Sequence, residues 1–164
     1  MKRVILILIL LLLLGCQWAY DRNKDITFDN IPVMGFETVE EVIRFVAART
    51  SYHSDSIHDT DEYWQSPDQT YIWKTGDCED FCILAMYLIY QELGLEPCLV
   101  AGTYVSKFIS YRHGWVEVND EWWEPQGGWR CDSYQDRFTD IYTINYAEVI
   151  YRSTHRHKAL RQEE

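Results

Sequence analysis

The stretch Lys74-Thr75-Gly76-Asp77-Cys78-Glu79-Asp80-Phe81-Cys82 sets a thiol among carboxylates, directly after a glycine. Downstream, Ala85, Leu88 and Ile89 join Phe81 and Cys82 at helical spacing, which predicts a helix over 78–93 with a buried stripe. Asp77 suits its N-cap, Asp80 its third position, and Gly94 stands where a helix commonly stops. Cys78 is then the first helical residue, where unpaired backbone N–H groups and the positive end of the dipole favour a thiolate. Its acidic neighbours suit a helix start but oppose ionisation of the thiol. Nucleophilic chemistry at Cys78 therefore needs a proton-accepting or cationic partner, and histidine is the side chain whose charge changes near neutral pH.

Five histidines are present. His155 and His157 fall in a charged tail, and His53 and His58 in a polar loop. His113 differs, because it opens an alternating strand, His113-Gly114-Trp115-Val116-Glu117-Val118. Asn119-Asp120 is a tight-turn pair leading into Glu121-Trp122-Trp123-Glu124-Pro125. Counted outward from that turn, Val118 faces Glu121, Glu117 faces Trp122, Val116 faces Trp123 and Trp115 faces Glu124. His113 becomes a diagonal neighbour of Glu124, within reach of a long side chain. Cys78, His113 and Glu124 together supply a nucleophile, a base and a carboxylate that orients the base. Backbone N–H groups near Cys78, with Gln65 or Trp64, are the candidate oxyanion donors.

Gly76-Asp77-Cys78-Glu79-Asp80-Phe81, His113-x-Trp115-Val116-Glu117-Val118 and Trp123-Glu124-Pro125, with Trp64-x-x-Pro67 upstream, resemble the transglutaminase-like superfamily. The resemblance spans about residues 60–126. It implies an α+β domain with a papain-like core, in which a nucleophile helix packs on an antiparallel sheet. It also implies Cys78 as nucleophile, His113 as base and Glu124 as third member of a triad. Glu124 is a departure, since the superfamily usually has Asp before that proline. The implied activity is acyl transfer through a Cys thioester, either hydrolysing an amide (protease, amidase or deamidase) or passing the acyl group to an amine. Its substrate would be a protein, a peptide or a peptidoglycan amide, with no organic cofactor and no metal. A binding or scaffolding protein that keeps the fold without turnover is the alternative.

Elsewhere, Thr38 and Glu41 form a capping box ahead of Val39, Val42, Ile43, Val46 and Ala47, predicting an amphipathic helix over 38–49. Residues 51–70 read as mostly loop, 98–105 as a buried strand, and 141–151 as a final strand or short helix. The domain is placed at 38–152, after a tether over 16–37 and before a charged tail over 153–164.

At the N-terminus, Lys2 and Arg3 precede an apolar run over 4–14, too short for a confident membrane span of about 20 residues. It ends in Leu13-Leu14-Gly15-Cys16, which resembles a bacterial lipoprotein box. That resemblance implies a signal peptide over 1–15 and acylation of Cys16, hence a lipid anchor in the cell envelope. Gln17 after the cysteine favours the outer membrane, facing the periplasm, in an organism that has one. An ordinary signal or an uncleaved anchor is the plainer reading. The formal net charge of -11 argues against nucleic acid or anionic lipid as the main partner.

Besides Cys16 and Cys78, the chain holds Cys82, Cys98 and Cys131. In an oxidising compartment Cys82 could pair with either of the others. Cys78-x3-Cys82 without a second close pair is weak support for zinc. His53, Asp55, His58, Asp59 and Asp61 could hold a cation, but a solvated polar loop accounts for them as well.

Overall fold

The computed structural model describes residues 27–54, 63–105, 107–131 and 137–160, with backbone only for 156–160. The expected signal segment over 1–15, Cys16, and Asp55, His58, Asp59 and Asp61 lie outside the described residues. In chain order the elements are α1 (Val39–Arg49), β1 (Ser51–Tyr52), α2 (Pro67–Trp73), β2 (Thr75–Gly76) and α3 (Cys78–Leu93). Then come β3 (Cys98–Val105), β4 (Ser110–Val118), β5 (Glu121–Glu124), β6 (Trp129–Arg130), β7 (Phe138–Asn145) and α4 (Tyr146–Leu160). Five strands form one antiparallel sheet in the order β6-β5-β4-β3-β7. The fold is mixed helix and sheet, as the sequence predicts.

α3 lies at its centre. Asp80 through Ile89 are all buried, so the helix is enclosed on every side rather than along one stripe. It packs against β4, α1, α2 and α4. Phe81, Leu84, Met86, Leu88 and Ile89 are at most 1% exposed, and each such side chain contributes roughly 1.5–3 kcal/mol on burial. Gly94 ends the helix in the left-handed region at φ +65°, with its N–H bonded to the Tyr90 carbonyl. The position of the helix start is therefore fixed by the body of the core.

The β4–β5 hairpin has the predicted register: Val118 pairs with Glu121, Glu117 with Trp122 and Val116 with Trp123. Asn119 and Asp120 both adopt positive φ, at 54° and 63°, as a two-residue hairpin turn of the primed type requires.

Three segments differ from expectation. The tether is not free over its described part: Phe28, Ile31, Met34 and Phe36 pack on or join the core. The Glu92 carboxylate accepts the N–H groups of Met34, Gly35 and Phe36, at 2.7, 2.6 and 3.0 Å, and Phe28 N–H donates to the Tyr87 hydroxyl. Within 51–70, expected to be mostly loop, Pro67 opens α2 at its first position, where its missing N–H costs nothing. Gln69 Oε1 accepts the Ser66 N–H and completes that helix start. At the other end, 141–151 is divided between β7 and α4, and α4 continues through the expected tail to Leu160. Val149, Ile150 and Ser153 are buried, which explains why the helix persists past 152. No helix among the described residues is long and apolar enough to cross a membrane.

Candidate active site

Cys78 is held in place by the residues on either side of it. Asp80 is fully buried, and its two carboxylate oxygens accept the Gln65 N–H at 2.8 Å and the Asp77 N–H at 3.2 Å. It thereby ties the 63–66 segment to the start of α3. Gly76 is required by the same arrangement, since a Cβ there would lie 2.6 Å from Asp80 Cβ. The short parallel pair β1–β2 joins Ser51 to Thr75 and Tyr52 to Gly76, bringing Tyr52 beside the thiol.

His113 and Glu124 meet through Nε2 and Oε2, the contact that the hairpin register predicts. Their side chains are 12% and 14% exposed, so solvent screens the pair only weakly. The other Glu124 oxygen accepts the Gln126 N–H at 3.1 Å. The carboxylate is thus held at both oxygens, and Nδ1 is the His113 nitrogen left for a reacting group.

Cys78, His113 and Glu124 line one open cleft of about 500 Å³, together with Tyr52, Tyr111, Arg112, Gln126, Gly127 and Trp129. A smaller cavity of about 40 Å³ adjoins Cys78 and His113 and is bounded by Trp64, Glu79, Leu99, Ala101, Arg112, Gly114 and Tyr142. Cys78 and His113 border both.

The thiol itself donates to Glu79 Oε2 at 3.2 Å, rather than to His113. Burial pushes its pKa well up, followed by the Glu79 charge, the hydrogen bond to Glu79 and the Asp77 charge. The Gly114 N–H, bonded to the sulfur, opposes them and is outweighed. Cys78 is therefore a neutral thiol at rest, and the helix start does not by itself make it a thiolate. Tyr111, also in the cleft, has its pKa raised by burial, then by Tyr104, Glu124 and Cys78.

Gln65 is not brought to either cavity. It is buried, its amide oxygen accepts the Thr70 hydroxyl at 3.2 Å, and its N–H belongs to Asp80. Packing of α2 on α3 turns it into a structural link, and Trp64 is the upstream residue that reaches the site. Cys82 and Cys98 are free thiols, and Cys82 lies beneath Gly114 in the core. Sequence reasoning passed over Arg112, Tyr111, Gln126 and Trp129. Gln126-Gly127-Gly128-Trp129 did carry a signal: a Cβ on Gly127 would sit 2.2 Å from the Trp129 ring, so the glycine allows the ring to lie over the turn.

No family model and no curated protein matches the chain. Among solved structures, calcium-bound LapG of Legionella pneumophila matches with a TM-score of 0.50 and 18% identity, over 77% of this chain and 72% of that one. EGTA-treated LapG matches at a TM-score of 0.49 and 21% identity, over 77% and 70%. A further LapG structure matches at 0.49 and 21%, covering 65% of this chain and 62% of that one. The fold is the transglutaminase-like fold of LapG. The calcium belongs to that LapG structure; among the described residues of this chain no group of three or more His, Cys, Asp or Glu that could hold a metal is formed.

Proposed function

We propose that the chain is a thiol acyl-transfer enzyme with Cys78 as nucleophile, His113 as general base and acid, and Glu124 as the carboxylate that orients it. One observation carries this reading: a His–carboxylate pair of fixed geometry and the thiol at a helix start border the same cleft. With Nε2 held by Glu124, Nδ1 of His113 accepts the Cys78 proton as sulfur attacks an amide carbonyl. The carbonyl oxygen gains negative charge and is met by backbone N–H groups at the start of α3. Nδ1 then returns the proton to the departing amine, leaving a thioester. Water, deprotonated by His113, adds to the thioester and releases a carboxylic acid and the thiol. An amine in place of water gives transamidation by the same steps.

A cleft of this size, open and edged by Tyr52, Tyr111 and Trp129, suits an extended peptide, so the substrate is a protein or peptide amide, peptidoglycan stems included. The proposed location is the cell envelope, with lipidated Cys16 as the anchor and the outer membrane as destination where there is one.

A second reading, a scaffold that does not turn over, is favoured by the neutral thiol bonded to Glu79. The two separate on intact-mass analysis after incubation with a mixed peptide library. The enzyme gives an acyl adduct on Cys78 and new amine or acid termini, both absent in Cys78→Ser. A scaffold gives neither while its peptide binding survives the substitution.

A further inference from the structure

The smaller cavity has a built floor. Ala101 pairs with Gly114 on one side and with Tyr142 on the other, so at Ala101 and Gly114 the sheet beside Cys78 carries no more than a methyl group. Arg112 stands two residues before Gly114 on β4 and hence on the same face. That face points toward α3, since a Cβ on Gly114 would lie 3.8 Å from Cys82 Sγ. The slot so formed has Glu79 on one wall and Arg112 with Tyr142 on the other.

Arg112 borders both the slot and the large cleft, and among the described residues no other lysine or arginine lines either. Its Nη2 donates to the Tyr142 hydroxyl at 3.3 Å, and among the described residues no carboxylate pairs with it. The acidic groups at the site are already engaged, Glu79 by the thiol and Glu124 by His113 and Gln126. In a chain of net charge -11, this leaves a guanidinium beside the nucleophile with its carboxylate-binding edge unused.

We infer that Arg112 is a carboxylate-binding specificity residue, so that the amide attacked by Cys78 belongs to a substrate residue carrying a free carboxylate. The inference rests on the acyl-transfer reading and narrows it to a substrate class. The carboxylate is an acidic side chain or the terminal carboxylate of the chain. Glu79, on the opposite wall, repels an anion and seats it at the Arg112 end. Tyr142 restrains the guanidinium by accepting a hydrogen bond from its Nη2.

Alkylation of Cys78 by iodoacetate and by iodoacetamide tests this without a known substrate. In both reactions sulfur displaces iodide from the same carbon, and the reagents differ in carrying a carboxylate or a neutral amide. The ratio of their rates, at low ionic strength, corrects for any change in the thiol itself. Arg112→Gln should lower that ratio about fivefold at most, as befits an exposed cation, and Arg112→Lys should lower it less. An equal ratio in wild type and Arg112→Gln overturns the inference.

Should wild type label with neither reagent, the reactive thiol is what has failed, and binding decides the inference alone. Cys78→Ala is then titrated with N-acetylglycine, N-acetylglutamic α-amide and N-acetylglycinamide, following the Arg112 side-chain resonance. Saturable shifts with the two acids and none with the neutral amide uphold it, and the tighter acid tells a terminal from a side-chain carboxylate. Indifference to all three overturns it.

Discussion

Glu124 holds His113 across the β4–β5 hairpin while Gln126 N–H holds Glu124, so the base is positioned by a carboxylate that is itself fixed. The glutamate replaces the usual aspartate of the resemblance, and its extra methylene is taken up by the diagonal path across the hairpin. Glu124→Ala should slow Cys78-dependent turnover by two orders of magnitude or more, roughly the scale of losing the third member of a triad. Glu124→Gln keeps the shape without the charge and should fall between. Rates for the two variants, each checked for an unchanged near-UV spectrum, test the ordering.

Burial does most to keep the thiol protonated at rest, and Glu79 adds to it through its charge and a hydrogen bond. Both effects raise the thiol pKa, so removing them lowers it and increases the thiolate fraction at any pH below it. Glu79→Gln should therefore label with iodoacetamide about tenfold faster than wild type near pH 8, one unit of pKa being tenfold in thiolate. The pH profile of labelling should move toward acid. A profile unmoved by the substitution would show that burial alone sets the resting state.

The hairpin, α1 and α3 were legible in the sequence because each has a local cause: a turn pair with positive φ, a capping box, a stopping glycine. The His113–Glu124 contact followed from counting register alone. Gln65 was misread because the same segment offers two side chains to the site, and which one enters is decided by α2 packing on α3. The docking of 28–36 was illegible for a similar reason. It depends on Glu92, some 57 positions away, and no periodicity announces a carboxylate that gathers three N–H groups. Arg112 was hidden by its neighbour, since what distinguishes it is the set of partners that it lacks.

Gly76 and Asp80 should prove inseparable. Gly76→Ala forces a methyl against Asp80 and should cost about 1–3 kcal/mol of stability, as overpacking does. Asp80→Ala leaves the Gln65 and Asp77 N–H groups without that acceptor, at roughly 1–3 kcal/mol for each buried group orphaned. Because the two share a contact, the double variant should be less destabilised than the sum. Urea denaturation midpoints and slopes for the three variants measure that coupling.

Stability should decline on the alkaline side. Burial first, then nearby carboxylates, raises the Cys78 and Cys82 thiols above their unfolded value of about 8.5. Between the unfolded and folded values the native state holds more protons than the unfolded state, so unfolding free energy falls as pH climbs past about 8.5. Below that pH these thiols contribute no slope. Replacing Cys78 by Ser should flatten the decline between pH 8.5 and 10 in a denaturant titration, and an unchanged slope would remove Cys78 from the explanation.

Loss of Glu92 should release the leading segment. Glu92→Ala removes the acceptor of three N–H groups, and amide exchange at Met34, Gly35 and Phe36 should rise while exchange within α3 remains slow.

The most direct measurement is the rate of iodoacetamide labelling of Cys78 at pH 7 in the wild type and in His113→Ala. If His113 accepts the proton as sulfur attacks, its removal should slow labelling by about a hundredfold, the scale of general-base catalysis, with Cys78 still accessible. Equal rates in the two proteins would mean that the thiol and the imidazole share a cleft without sharing a proton, and the acyl-transfer mechanism would be wrong.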